Sequence, residues 1–207
     1  MINLCIKRYS ILETCRKDIQ QAADCLITCF ENGGKLLICG NGGSSADAEH
    51  IVGELMKGFL KKRPLPTEKR RLMCERFPEV IDLLDNLQEG LPAISLPSLA
   101  SLNSAYSNDV DPAMVYAQGV LALAKSEDIL LGISTSGNSE NVVNAATLAK
   151  SIGITVLTLT GKTGGKLREV SDVCIRVPAT ETYQVQELHL PVYHALCAAV
   201  EEHFFSL

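Results

Sequence analysis

The chain carries no surplus of basic charge: its formal net charge is −5 and its pI about 5.4. That removes the electrostatic footprint of a nucleic-acid-binding surface. Long apolar runs are also missing. Polar or charged residues interrupt every hydrophobic stretch well short of the roughly 20 residues that span a bilayer, so no membrane partner is expected. The opening MINLCIKRYS contains no secretory h-region, and a cytoplasmic protein is expected. None of the eight cysteines (Cys5, Cys15, Cys25, Cys29, Cys39, Cys74, Cys174, Cys197) belongs to a CxxC pair. Most lie in apolar periodic segments, as small buried residues do in a reducing compartment. Cys25 and Cys29 stand one helical turn apart with no other ligand types beside them, which argues against a metal there. The dinucleotide fingerprint GxGxxG is absent, because GNGGSS at 40–45 lacks its last glycine. GKTGGK at 161–166 lacks the glycine spacing of a Walker loop. No nucleotide cofactor is expected.

What remains is ordinary globular composition, 46% hydrophobic and 21% charged over 207 residues, which suits one α/β domain with a sizeable core. Five short apolar runs read as strands: KLLIC (35–39), AISL (93–96), DILLGIS (128–134), ITVLTLT (154–160) and DVCIRV (172–177). Helical periodicity fills the intervals. Ile11, Cys15, Ile19, Ala22, Leu26 and Phe30 predict one long helix over 9–31, stopped by NGG. Further helices are expected over about 45–59, 98–106, 112–125, 139–153 and 184–205. Strands separated by helical crossovers make a parallel sheet with helices on both faces. Residues 61–91 differ in character: KKRPLPTEKRR is rich in basic residues and proline, and FPEVIDLLDNLQEGLP suggests a short helix.

Two strand–loop–helix units match one another, LLICGNGGSS (36–45) and LLGISTSGNS (130–139). In each, a buried strand runs into glycine and hydroxyl residues that open a helix. Glycine lets the backbone approach a ligand, and hydroxyls with helix N-terminal amides donate to anionic oxygens. Ser134, Thr135, Ser136 and Ser139 fall within six residues, a density that suits a phosphate. Such residues also cap helices and make turns. The occurrence of two such loops, each after a buried strand, favours a ligand.

CGNGGSSADAEH, GISTSGNSENV, TLTGKTGGKL and VQELHLPVYH together resemble the sugar-isomerase (SIS) domain family, and within it the phosphoheptose isomerases. The likeness covers nearly the whole chain, 1–207 as one SIS domain, except about 61–91, which is longer than the family's segment. The resemblance implies a five-stranded parallel sheet in a flavodoxin-like three-layer sandwich. It also implies a homotetramer with active sites between subunits and a phosphorylated sugar as substrate. By resemblance, Ser134, Thr135, Ser136 and Ser139 bind the phosphate. Asn41, Gly42 and Ser44 line the same pocket, and Asn108 and Asp109 contact the sugar. The same resemblance makes Glu54 the base of a cis-enediol isomerisation and His194 its acid–base partner. It implies a possible zinc ion held by His50, Glu54, Gln186 and His194. A non-catalytic SIS-domain adaptor, of the type that associates with a replication initiator, is the alternative, although such proteins tend to lose the His/Glu/His set retained here.

His50 and Glu54 share a helical face at i,i+4. Gln186 and His194 are eight residues apart, about 12 Å of rise and roughly 80° of rotation on a straight helix. Either Gln186 lies at or before the helix start, or the groups come from different subunits. His189 and His203 read as satisfied or solvated side chains. Where family members carry an arginine after the base, ELMKGF has Lys57 and Gly58, and Tyr183 stands at a common aspartate position. Residues 61–91 are either a surface excursion or oligomer contact, or a lid whose Lys61, Lys62, Arg63, Arg70 and Arg71 attract anions.

Overall fold

The computed structural model describes residues 1–205. The elements run α1 (Ile2–Arg8), α2 (Arg16–Glu31), β1 (Leu36–Gly40), α3 (Gly43–Met56), α4 (Thr67–Arg76), α5 (Ile81–Leu84), β2 (Ala93–Ser95) and α6 (Ala100–Asp109). Then follow α7 (Val115–Leu123), β3 (Ile129–Ser134), α8 (Glu140–Ser151), β4 (Thr155–Thr160), α9 (Leu167–Val170), β5 (Val173–Arg176) and α10 (Thr182–Phe205). All five strands stand where the apolar runs predict them. They form one parallel sheet in the order β2-β1-β3-β4-β5.

Alternation along the strands feeds two cores. From β1, Leu36 and Ile38 pack with α1, α2 and α10, while Leu37 and Cys39 pack with α7 and α8 on the opposite face. The sandwich is therefore three layers deep. The chain leaves β1 outward to β2 and returns to β3 on the other side of β1. In an open sheet of this kind the crevice for a ligand opens beyond the strand carboxyl ends where the order reverses. Here that is the end of β1 beside the end of β3, with Gly40 in register with Ile133. Both glycine–serine loops begin at that point.

Three segments depart from expectation. The helix predicted over 9–31 begins at Arg16. Ser10–Cys15 is a 3-10 turn, and Tyr9 leaves the helical region at φ −126° and ψ 71°. Periodicity ran through the 3-10 turn because Leu12 and Cys15 still face the core. The second departure lies within 61–91: the basic stretch itself folds as α4, whereas the FPEV segment makes only a 3-10 turn and the four-residue α5. Helix α4 buries none of its residues, so no apolar stripe announced it. The excursion closes on itself through a bridge between Pro64 and Gln88 and a bond from the Glu89 amide to the Arg63 carbonyl (2.7 Å).

The third departure concerns Arg63, which was grouped with the surface charges. It is 1% exposed and paired with the equally buried Glu201 at 2.9 Å. Four other basic residues of the excursion are also engaged. Lys61 pairs with Glu202, Lys69 with Glu89, Arg70 with Asp85, and Arg71 with Glu68 and Glu75.

All eight cysteines are free thiols, five of them buried. Burial pushes the Cys39 and Cys197 thiols up to about 12 and those of Cys15 and Cys29 up to about 11. Thiols held that far from ionisation act as small core residues. No helix among the described residues is long and apolar enough to cross a membrane.

Candidate active site

The β1 loop turns at Gly42, whose φ of 56° favours glycine. Asn41 and Asn141 exchange amide bonds across the crevice, Nδ2 to Oδ1 at 2.8 Å and 3.0 Å. Tyr116 Oη donates towards the Gly40 carbonyl (2.8 Å) and Asn41 Oδ1 (3.1 Å). Neither Asn141 nor Tyr116 was singled out in the sequence. Asn141 follows the serine loop by two residues, which was the available signal. Ser44 is buried in the first turn of α3, its amide bonded to the Asn41 carbonyl.

The β3 loop is tied to its neighbour. Ser134 ends the strand, buried, with its Oγ 2.9 Å from Ser139 Oγ at the N-cap of α8. Ser136 Oγ accepts the Asn138 amide (3.1 Å), and Thr135 O accepts from Gly161 N (3.0 Å). Gly137 (φ 68°) presses on Gly164 and Gly165 of the loop after β4, where a Cβ would overlap the Gly164 carbonyl. Only glycine fits there. The hydroxyls of 134–139 and the start of α8 therefore share the mouth of the crevice with Asn41, Gly42 and Ser44.

On α3, Asp47, His50 and Glu54 fall on one face. His50 Nε2 is 3.2 Å from Glu54 Oε1, and its Nδ1 is 3.0 Å from Tyr193 Oη on α10. Tyr193 donates to Asp47 Oδ1 (3.2 Å). Lys57 Nζ donates to Glu54 Oε2 (2.9 Å). The His194 ring lies edge-on to that of His50, centroids 5.0 Å apart, and also contacts Tyr193 and Phe59. Its Nε2 is buried without a hydrogen-bond partner. Burial, then the neighbouring His50, lowers the His194 pKa, and Glu54 opposes them. The imidazole is thus neutral near pH 7, with one nitrogen able to accept and the other to donate. Asp47 and Tyr193 complete this cluster. Asp47 was legible at i−3 from His50, whereas Tyr193 resembled any other core position of α10.

The remaining candidates lie apart. Gln186 is the fifth residue of α10, not at or before its start. Its amide rests on Gly43, where a Cβ would overlap Nε2 and stand 3.1 Å from Cδ. It thus joins the β1 loop rather than the His50–Glu54–His194 group. Among the described residues no three His, Cys, Asp or Glu side chains are gathered so as to enclose a metal. With both His50 nitrogens engaged and Gln186 elsewhere, the four expected zinc ligands of one chain do not fit an ion as they stand. Asn108 donates to Asp109 (2.8 Å), both exposed at the end of α6. Tyr183 is exposed in the first turn of α10. His189, expected to be satisfied or solvated, is fully buried with neither nitrogen in a well-formed hydrogen bond, only a weaker contact with the Thr160 backbone, whereas His203 bonds Glu31 at 2.7 Å on the surface.

Comparison with known proteins agrees with this architecture. The SIS domain family model matches residues 6–76 and 73–161. A phosphoheptose isomerase of Helicobacter pylori strain P12 is 39% identical over 193 residues, 93% of this chain and 88% of that protein. One from Aneurinibacillus thermoaerophilus is 37% identical over 187 residues, 90% of this chain and 82% of that protein. The solved phosphoheptose isomerase of Neisseria gonorrhoeae superposes with a TM-score of 0.76 at 32% identity, covering 97% of this chain and 94% of that one. The chain belongs to the SIS domain family, and within it to the phosphoheptose isomerases. It is an enzyme, an isomerase of the aldose–ketose class.

Proposed function

We propose that this enzyme interconverts a ketose phosphate and its aldose, with sedoheptulose 7-phosphate as the heptose substrate. The observation that carries this reading is the convergence of Glu54 and His194 on His50 from facing helices. The name shared by the relatives supports a heptose phosphate, and the hydroxyl-rich crevice suits its phosphate. With the phosphate at 134–139, the Glu54 carboxylate takes a proton from C1 of the ketose. The C1–H electron pair becomes the C1–C2 double bond of a cis-enediol as the C2 oxygen is protonated. Neutral His194 exchanges the hydroxyl protons on the two oxygens, and Glu54 returns its proton to C2. The carbonyl now stands at C1, and no atom is gained or lost. General acid–base transfers of this kind contribute about 10²–10⁴-fold each.

Zinc enters this reading only as a group proposed by resemblance. To ligate it, His50 has to release Glu54, and His194 Nε2 is the donor already free; the proton transfers above are not routed through it. We further propose a cytoplasmic homotetramer. A groove of about 190 Å³ beside His194, lined by Leu4, Tyr9, Phe59, Leu60 and Leu190, exposes the apolar surface that a neighbouring subunit would cover.

The test is turnover of sedoheptulose 7-phosphate by the purified full chain, beside shorter ketose phosphates. Preferred conversion of the heptose supports the assignment. Turnover of a shorter sugar alone sinks the heptose and keeps the isomerase.

A further inference from the structure

Glu54 sits in the last turn of α3, two residues from Met56, where the helix ends. The last carbonyls of a helix have no partners within it, and such turns fray unless something caps them. Lys57 leaves this end in an extended conformation, and among the described residues the one backbone amide donated to its last turn from outside the helix is that of Leu91, to the Leu55 carbonyl (2.9 Å). Arg63 also reaches back, donating from Nη1 to the Leu55 carbonyl (2.6 Å) and from Nη2 to the Glu54 carbonyl (3.1 Å). A cation at a helix C-terminus is also favoured by the helix dipole.

The guanidinium is fixed from its other side. Nε donates to Glu201 Oε1 (2.9 Å), and the ring of Phe205 lies 4.5 Å from the guanidinium carbon. Glu201 in turn accepts the amides of Phe59 (2.8 Å), Leu60 (2.7 Å) and Lys61 (3.1 Å). Glu201 and His194 both belong to α10, so one buried pair joins the end of the helix bearing Glu54 to the helix bearing His194.

We infer that Arg63 is a positioning residue for the isomerase reaction: clamped by Glu201, it caps the last turn of α3 and fixes the Glu54 carboxylate relative to His194. This rests on the proposed role of Glu54. Because the excursion leaves after Arg63 and returns through the Glu89 amide to the Arg63 carbonyl, its stem braces the same clamp.

Arg63→Lys keeps a charge beside Glu201 but lacks the planar fork that meets two carbonyls at once. Misplacing a reacting group by about 1 Å costs about 10²-fold. The folded variant, assayed well below its melting temperature, therefore loses about 10- to 100-fold in kcat, with KM changed less than about threefold. A loss that acts through Glu54 is not additive with Glu54→Gln: adding Arg63→Lys to that variant lowers its residual rate less than about twofold. A purely structural role would leave kcat per folded molecule unchanged or add in full to the Glu54→Gln loss, and either result overturns the inference. Should Arg63→Lys not fold, the double variant Arg63→Gln, Glu201→Gln removes the whole buried pair without stranding a charge, and the same readings apply. If Glu54→Gln alone retains the wild-type rate, the assignment of the base fails, a result distinct from failure of the clamp.

Discussion

The amide of Gln186 lies directly on the backbone of Gly43, so that a side chain at 43 would occupy its space. One contact thereby joins the early part of α10 to the first turn of α3. Gly43→Ala is expected to push Gln186 out of the crevice and raise KM about tenfold. Gly43→Ala with Gln186→Gly should recover part of that loss. Steady-state kinetics of both variants check this, and an unchanged KM in Gly43→Ala would remove Gln186 from the site.

The serine loop is expected to hold substrate alike in ground and transition states. Ser136→Ala and Ser139→Ala should each raise KM for the phosphosugar about three- to tenfold with kcat nearly constant, the signature of lost uniform binding. Inorganic phosphate should inhibit the wild type competitively and these variants more weakly. A fall in kcat at constant KM would place the loop's contribution in the transition state instead.

His189 supplies a pH dependence of stability. Desolvation lowers its pKa to about 4, opposed by the Thr160 backbone, whereas an unfolded histidine titrates near 6.5. Between about pH 6.5 and 4 the unfolded chain binds a proton that the folded chain refuses. Stability therefore falls across that window, by about 3 kcal/mol in all. Urea unfolding at pH 7.5, 6, 5 and 4 measures the slope. His189→Leu should remove this part of it, and equal slopes in both proteins would contradict the assignment.

The excursion over 64–88 is expected to be electrostatically self-contained, since Arg70 and Arg71 bond its own carboxylates. Arg70→Ala with Arg71→Ala should leave kcat/KM within about twofold at low and high salt. A loss of tenfold or more confined to low salt would support the anion-attracting lid instead.

Much of this was legible because one physical signal governs it. Strands buried on both faces read as short apolar runs, and each such run became a strand. The two loops were legible as strand-to-helix turns because glycine and hydroxyl residues follow each buried strand and open a helix. Arg63 was not legible, since its partner Glu201 lies 138 residues away and its neighbours in KKRPLP are surface charges. Tyr193 was hidden because one tyrosine on an apolar helix face looks like core. Helix α4 was missed because, with no buried side, it carries no periodicity. In each case the deciding partner is distant in the chain or is solvent.

The most direct test of the account is the isomerisation rate of the Glu54→Gln and His194→Ala variants in the native assembly, with folding checked by circular dichroism. If Glu54 moves the carbon-bound proton and His194 the oxygen-bound ones, each variant loses about a hundredfold or more in kcat. Conversion in D2O by the wild type should also leave deuterium at C2 of the aldose. A Glu54→Gln variant that turns over at the wild-type rate would contradict the central claim.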